Sequence, residues 1–260
     1  MRQFREPTTV TLARDNGIAR IVFEGPKGIQ TLSQRTRLQL RSLLEEVSND
    51  ESIRVAVFEG RGRTFIAGAE ISELAELDET SAYEIAREGQ SLMQLIDDLP
   101  FVTIAAINGA CAGGGCELAL ACDLRIMDEQ AVIGLPEATL GIVPGWGGTV
   151  RARHLLGEAN AKWLTMTGQL LSASDALRIG LVNQVAAEGT LGEIVTTLLS
   201  QLRKPSPSSQ RQLKQLFRTM SGIDAKCFEA EARTFAECFS QGQAKDGLAA
   251  FVEKRPAEWV

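Results

Sequence analysis

Residues 109–123 read GACAGGGCELALACD, and the use this stretch makes of its glycines decides the fold. Gly113, Gly114 and Gly115 are followed by Cys116, by Glu117 and then by small or apolar residues through Cys122. Glycine loses more backbone entropy on folding than any other residue, so a run of it needs a reason. Just upstream, FVTIAAING (101–109) is an apolar run of strand length. A strand, a tight glycine turn and a helix aim free backbone N–H groups, and the positive end of the helix, at one point. A phosphate cradle would want GxxxxGK[ST] or GxGxxG, and neither is present. Close helix–strand packing needs no ligand. An oxyanion hole needs only an N–H beside a reacting carbonyl.

A second small-residue loop strengthens the last reading. FIAGAEI (65–71) leaves another strand-like run, IRVAVFEG (53–60), and can offer an N–H at Ala69. Two donors from two loops are the usual device for stabilising an enolate or tetrahedral oxygen, each worth ~3 kcal/mol of barrier. Glu117 falls in the first turn of its helix, where the helix dipole favours the anion and burial opposes it. Glu137 follows Pro136 in LPEATLG, so Pro136 is expected to begin a short helix with Glu137 in its first turn. Two short strands between these acids, LRIMDE and AVIGLPE, are enough to bring the chain back to one place. Paired glutamates of differing pKa can position one water and divide acid and base duty. Taken alone, a glutamate in a first turn is usually only a favourable surface charge.

The rest of the chain reads as alternating strands and helices, hence α/β. TTVTLA and IARIVFEG flank Asn16-Gly17 as a hairpin. A helix is predicted from about Ser33, with Leu40, Leu43, Leu44 and Val47 on its apolar side. Another runs from about Ser81 to Leu99 and stops at Pro100. GWGGTVRARHLLG gives a loop and then a helix ending at Gly157. Ser172 with Asp175 is a capping pattern, and Gly180 a helix stop. Beyond Leu191 the pattern is helical, broken by KPSPSS (204–209), which sets residues 1–190 apart as a core from a helical part, 191–260.

Bulk properties exclude several classes. The 260 residues carry a net charge of −6, with 44% hydrophobic and 23% charged residues, ordinary for a globular protein. The acidic balance argues against an electrostatic grip on nucleic acid or an anionic membrane. No stretch approaches the roughly 18 apolar residues of a membrane span. MRQFREPTTV lacks the apolar core of a signal peptide, which leaves the cytoplasm as the expected location. The five cysteines include no CxxC pair, and Cys111, Cys116 and Cys122 read as buried thiols. With His154 as the only histidine, no metal site is expected; it belongs on a helix face, with Arg151 and Arg153 solvated beside it.

Taken together, FIAGAEI, AAINGACAGGGCELALACDLRI, LPEATLGIVPGWGGT, ALRIGLVNQV and the tail FAECFSQGQAKDGLAAFVEKRP resemble the enoyl-CoA hydratase/isomerase (crotonase) family over nearly the whole chain. The resemblance implies a crotonase-like (ClpP/crotonase) α/β spiral of ββα units with a helical C-terminal oligomerisation region, assembled as a homotrimer or a hexamer of two trimers. It implies an oxyanion hole from the N–H groups of Ala69 and Gly114, and Glu117 and Glu137 as the catalytic acids. It implies that Ala67, Ala69, Glu70, Ile71 and Ser72 wrap coenzyme A, with Phe251 and Lys254 at positions that reach a neighbouring subunit's ligand. Coenzyme A would be part of the substrate, an acyl-CoA thioester, and no separate cofactor is implied.

Departures from the family pattern are Glu70 where Asp is common, Ser72 where Lys is common, and Gln30 where Asn is usual. Trp146 replaces a commonly small residue and reads either as a surface-packed indole or as a wall of the acyl pocket. Within the resemblance, hydration of a trans-2-enoyl-CoA stands ahead of 3-enoyl to 2-enoyl isomerisation, hydrolysis or decarboxylation, because both glutamates are present. Gly141 to Gly148 contains no acid, which argues against a carboxylate nucleophile in that loop. A non-catalytic scaffold on the same fold is the reading from another class.

Overall fold

The structure is a computed structural model describing residues 8–220, 224–240 and 243–257. Residues 1–7, on which much of the signal-peptide reading rests, lie outside the described residues. β1 (Thr9–Asp15) and β2 (Ile18–Glu24) form the expected antiparallel hairpin. Its turn residues Asn16 and Gly17 have φ of 48° and 78°, the double left-handed geometry that Asn-Gly adopts readily. α1 (Gln34–Ser48) is capped by Ser33, whose hydroxyl accepts from the Thr36 amide, and it buries Leu40, Leu44 and Val47. Leu43 is half-buried at the edge of the same core.

From here the chain repeats a two-strand step. β3 (Val55–Gly60) and β4 (Thr64–Ile66) are followed by α2 (Ile71–Leu74) and α3 (Glu79–Asp98). β5 (Val102–Ile107) and β6 (Ala110–Ala112) lead into α4 (Gly114–Ala121). β7 (Leu124–Asp128) and β8 (Val132–Gly134) lead through a 3-10 turn, Glu137–Leu140, into α5 (Gly148–Thr167). β9 (Leu171–Ser172), α6 (Ala173–Arg178) and β10 (Gln184–Ala186) complete the spiral.

The first strand of each step joins a six-stranded sheet ordered β1-β2-β3-β5-β7-β10, parallel from β2 onward. The second joins a four-stranded sheet, β4-β6-β8-β9, parallel through β8. Each turn of the spiral therefore adds one rung to both sheets. The chain leaves β4, β6 and β8 at the same edge, on adjacent rungs.

Four helices follow: α7 (Leu191–Leu202), α8 (Pro207–Met220), α9 (Ala225–Ser240) and α10 (Gln243–Glu253). Val195 and Leu199 of α7 cover Val55, Val57, Ile104 and Ile126 on one face of the large sheet. α8 is anchored by Lys214, whose Nζ lies 2.8 Å from Asp123 Oδ2 and 3.1 Å from the Phe101 carbonyl. Ala232, Phe235 and Ala236 of α9 pack with Leu248 of α10 against Leu74, Ala82, Ala86 and Ile142.

Two boundaries differ from expectation. Gly157 (φ 74°, ψ 165°) does break the helix it was expected to end, but the chain re-enters helix at once and α5 runs to Thr167. α3 starts at Glu79 because Asp78 is its cap, and Ser81 serves as the third residue of the capping box.

Candidate active site

The edge where β4, β6 and β8 end borders a cavity of about 150 Å³. Ala67, Gly68 and Ala69 enter it from the loop after β4, Gly113 from the turn after β6, Gly114 and Glu117 from the first turn of α4, and Pro136 and Glu137 from the loop after β8. Leu74, Leu140, Ile142 and Phe235 give it apolar walls.

The glycines now have separate uses. Gly113 adopts φ 51°, ψ −124°, outside the regions open to side-chain-bearing residues. A methyl group at 114 would lie 2.5 Å from Cζ3 of Trp146, and one at 115 would lie 2.1 Å from the Ile66 carbonyl oxygen. Gly115 thus serves close helix–strand packing, and Gly114 opens α4 at the cavity wall. As the first residue of α4, Gly114 has an N–H with no acceptor inside the helix.

Glu117 and Glu137 are both buried, 3% and 7% exposed, and both face this cavity. Their environments differ. Glu117 Oε1 accepts from the amides of Trp146 (2.8 Å) and Gly148 (2.9 Å). A methyl at 148 would lie 2.8 Å from that oxygen, so glycine there admits the carboxylate. Glu137 Oε2 is buried without a hydrogen-bond partner among the described residues. Burial pushes the Glu137 carboxyl up to about 8, with the Glu231 charge acting in the same direction. Burial also raises Glu117 well above the ordinary carboxylate range, the charges of Glu137 and Glu231 add to this, and the Trp146 and Gly148 amides oppose it. Both carboxyls are thus held above the ordinary carboxylate range, so the pair favours holding a proton at neutral pH, and the Trp146 and Gly148 amides favour Glu117 as the member that carries negative charge.

Trp146 is 3% exposed and lines the cavity, which overturns the surface-packed reading. Its ring lies against Gly89 and Gly114, with the Arg37 guanidinium carbon 5.3 Å from the ring centroid. Arg37 is held in turn by the Leu32 carbonyl, Glu73 and Glu88. Arg151, expected to be solvated, is buried, and its guanidinium stacks over Phe228 at 5.2 Å. Arg153 and His154 are exposed on α5 as expected.

Ala67, Ala69, Ile71, Gly114 and Phe251 are brought together at the cavity, Phe251 lining that of its own chain where the resemblance put it at a neighbour's ligand; Glu70, Ser72 and Lys254 are not part of its lining. Glu70 accepts from Thr31 Oγ1 and Ser72 Oγ, each at 3.0 Å. Ser72 is exposed on α2, and Lys254 is exposed just beyond α10. Gln30 is fully buried, and its carbonyl oxygen accepts from the Ala67 amide at 2.8 Å, steadying the loop that carries Ala69.

One buried acid escaped the sequence reading. Glu231 of α9, 6% exposed, accepts from the amides of Gly147 (2.5 Å) and Thr149 (2.9 Å), from the Thr149 hydroxyl and from Gln90 Nε2. The available signal was its spacing: Phe228, Glu231 and Phe235 share one face of a 3.6-residue helix, an acid set in an apolar stripe. Cys111, Cys116 and Cys122 are buried free thiols, as expected. Among the described residues, no three His, Cys, Asp or Glu side chains gather as metal ligands, and no helix is long and apolar enough to cross a membrane.

Two largely parallel sheets that the chain visits in turn, with an acid-lined cavity where β4, β6 and β8 end, make this an α/β protein of spiral ββα build. The sequence pattern of the enoyl-CoA hydratase/isomerase family matches residues 13–260, and the chain belongs to that family. It is 35% identical to a short-chain-enoyl-CoA hydratase of Clostridium acetobutylicum, over 97% of this chain and 98% of that one. It is 34% identical to a crotonyl-CoA hydratase of Syntrophomonas wolfei, over 96% and 97%. Among solved structures, a carnitinyl-CoA hydratase of Mycobacterium avium superposes with a TM-score of 0.85 at 32% identity, covering 96% of this chain and 98% of that one.

Proposed function

We propose that the protein catalyses reversible hydration of trans-2-enoyl-CoA thioesters to 3-hydroxyacyl-CoA. One observation carries the reading: two buried carboxyls share one cavity, one steadied by the amides of Trp146 and Gly148 and the other with its Oε2 unpartnered. In this reading the thioester oxygen sits between the N–H groups of Ala69 and Gly114. Those donors withdraw electrons from the conjugated double bond, so C3 becomes electrophilic and the developing enolate is stabilised. Glu117 takes a proton from water as its oxygen bonds to C3. Glu137 gives its proton to C2, and the enolate collapses to the thioester. One water has then been added across the C2–C3 double bond, and passage of the proton from Glu117 back to Glu137 resets the pair.

No metal or redox cofactor enters this scheme, and coenzyme A belongs to the substrate. The loop 67–72 and Phe251 would hold the coenzyme, and Trp146 would bound the acyl end. Exposed Leu213, Leu216, Phe217 and Met220 on α8 favour assembly through the C-terminal helices, as a homotrimer or hexamer in the cytoplasm.

The deciding experiment is incubation with crotonyl-CoA and longer enoyl thioesters while enoyl-thioester absorbance is followed. Loss of absorbance, with a 3-hydroxyacyl-CoA as product, is expected. Silence on every chain length together with turnover of a 3-enoyl thioester would replace hydration by isomerisation.

A further inference from the structure

Four successive amides, Trp146 to Thr149, stand at the start of α5, and they divide between two acids. Trp146 and Gly148 donate to Glu117; Gly147 and Thr149 donate to Glu231. The alternation depends on Gly147, whose φ of 98° is left-handed. Glu117 arrives from α4 and Glu231 from α9, so the segment is gripped by carboxylates from two separate elements. Gln90 of α3 fixes the second grip: its Nε2 donates to Glu231 Oε2 at 3.3 Å and to the Phe228 carbonyl at 2.8 Å. The Arg151 guanidinium donates to the Trp146 carbonyl of the same turn at 3.4 Å.

We propose that Glu231 is a positioning residue for Glu117: by holding the Gly147 and Thr149 amides, it aims the Trp146 and Gly148 amides at Glu117 Oε1. Gly145, Gly147 and Gly148 leave this segment little stiffness of its own. Without Glu231, two buried N–H groups lose their acceptor, and the turn swings to find another. Glu117 then loses the two donors that orient it, although nothing in its own helix has changed. Because Glu231 is not part of the cavity lining, its larger effect falls on the chemical step, and thioester binding changes only through the Trp146 wall that the same segment carries. A misplacement of about 1 Å at a reacting group is enough for a ~100-fold loss of rate.

The kinetic half of this proposal rests on the hydration reading; the structural half does not. The test measures steady-state hydration of crotonyl-CoA and residue-resolved amide hydrogen exchange in wild type, Glu231→Gln and Thr149→Val. Glu231→Gln is expected to lower kcat ~100-fold with KM within about 3-fold, and to speed exchange at Trp146 and Gly148, whose acceptor is Glu117 and not residue 231. Thr149→Val, which removes only the hydroxyl donor, should move both readouts the same way by less, and it serves alone if Glu231→Gln does not fold. Wild-type kcat in both variants, or unchanged exchange at Trp146 and Gly148, overturns the proposal. If the wild type hydrates no enoyl thioester, the hydration reading fails separately, and exchange at Trp146 and Gly148 still decides whether Glu231 sets Glu117's donors.

Discussion

Gly114 and Trp146 are in such close register that a single added methyl group at 114 would overlap the indole, 2.5 Å from Cζ3. One of the two residues opens α4, the other stands on the approach to α5, and neither can grow without moving its neighbour. Gly114→Ala is therefore expected to lower hydration of crotonyl-CoA by at least ~100-fold, because the indole or the Gly114 amide must shift. Trp146→Ala should give the methyl room, so the double variant should lose less than the two single losses added together. Steady-state kinetics on the full cycle of four proteins measures this coupling.

Glu117→Gln and Glu137→Gln are each expected to reduce kcat by ~100- to 10,000-fold, the range for loss of a positioned acid or base. Acyl-CoA affinity, measured by calorimetry, should stay within a few-fold, since neither change alters the loop 67–72 or Phe251. A fall in affinity that matches the fall in rate would assign both acids to binding.

The Glu137 carboxyl is raised to about 8 by burial, which fixes the sign of a stability effect. In the unfolded chain the group ionises at its ordinary value near 4.5; in the folded protein it holds its proton until about pH 8. The folded state binds the extra proton between these values, so stability is fullest below pH 4.5 and declines as pH rises through 8. Glu137→Gln, which has no proton to lose, should become more stable than wild type as pH increases, by ~2–4 kcal/mol at pH 8 in urea titrations. The same proton explains an activity limb: kcat for hydration should fall as pH rises past about 8, where Glu137 no longer has a proton to give.

Lys214 ties α8 to the end of the large sheet through Asp123 and the Phe101 carbonyl. Its removal leaves Asp123 with the Thr103 amide and hydroxyl, at 2.8 and 2.9 Å, so the acid is not stranded. Lys214→Met is expected to cost ~1–3 kcal/mol in urea unfolding, with kcat unchanged in the folded protein.

Much of this arrangement was legible in the residues. The Asn16-Gly17 turn, the Ser33 cap, the buried strands and the glycine-led helix of Glu117 all follow from local chemistry. Glu117 and Glu137 stand out as acids because one falls in an apolar helix and the other follows a proline. What could not be read was how distant pieces meet. The burial of Trp146 and Arg151 depends on α3 and α9 closing over them. Glu231 lies 114 residues beyond Glu117 in the chain, and only the folded backbone reveals that they share one segment of amides. Gly157 looked like a helix end because a left-handed glycine there does end one; nothing local says that the next residue starts another.

Ala69, Gly114 and Glu137 each stand within three residues of the end of one of three hydrogen-bonded parallel strands, β4, β6 and β8. Neighbouring strands keep a separation of ~4.8 Å, so the layout of donors and acid is metered by a lattice and not by the whims of three loops. Such a ruler lets evolution exchange the group carried at any one graduation while the scale itself stays put.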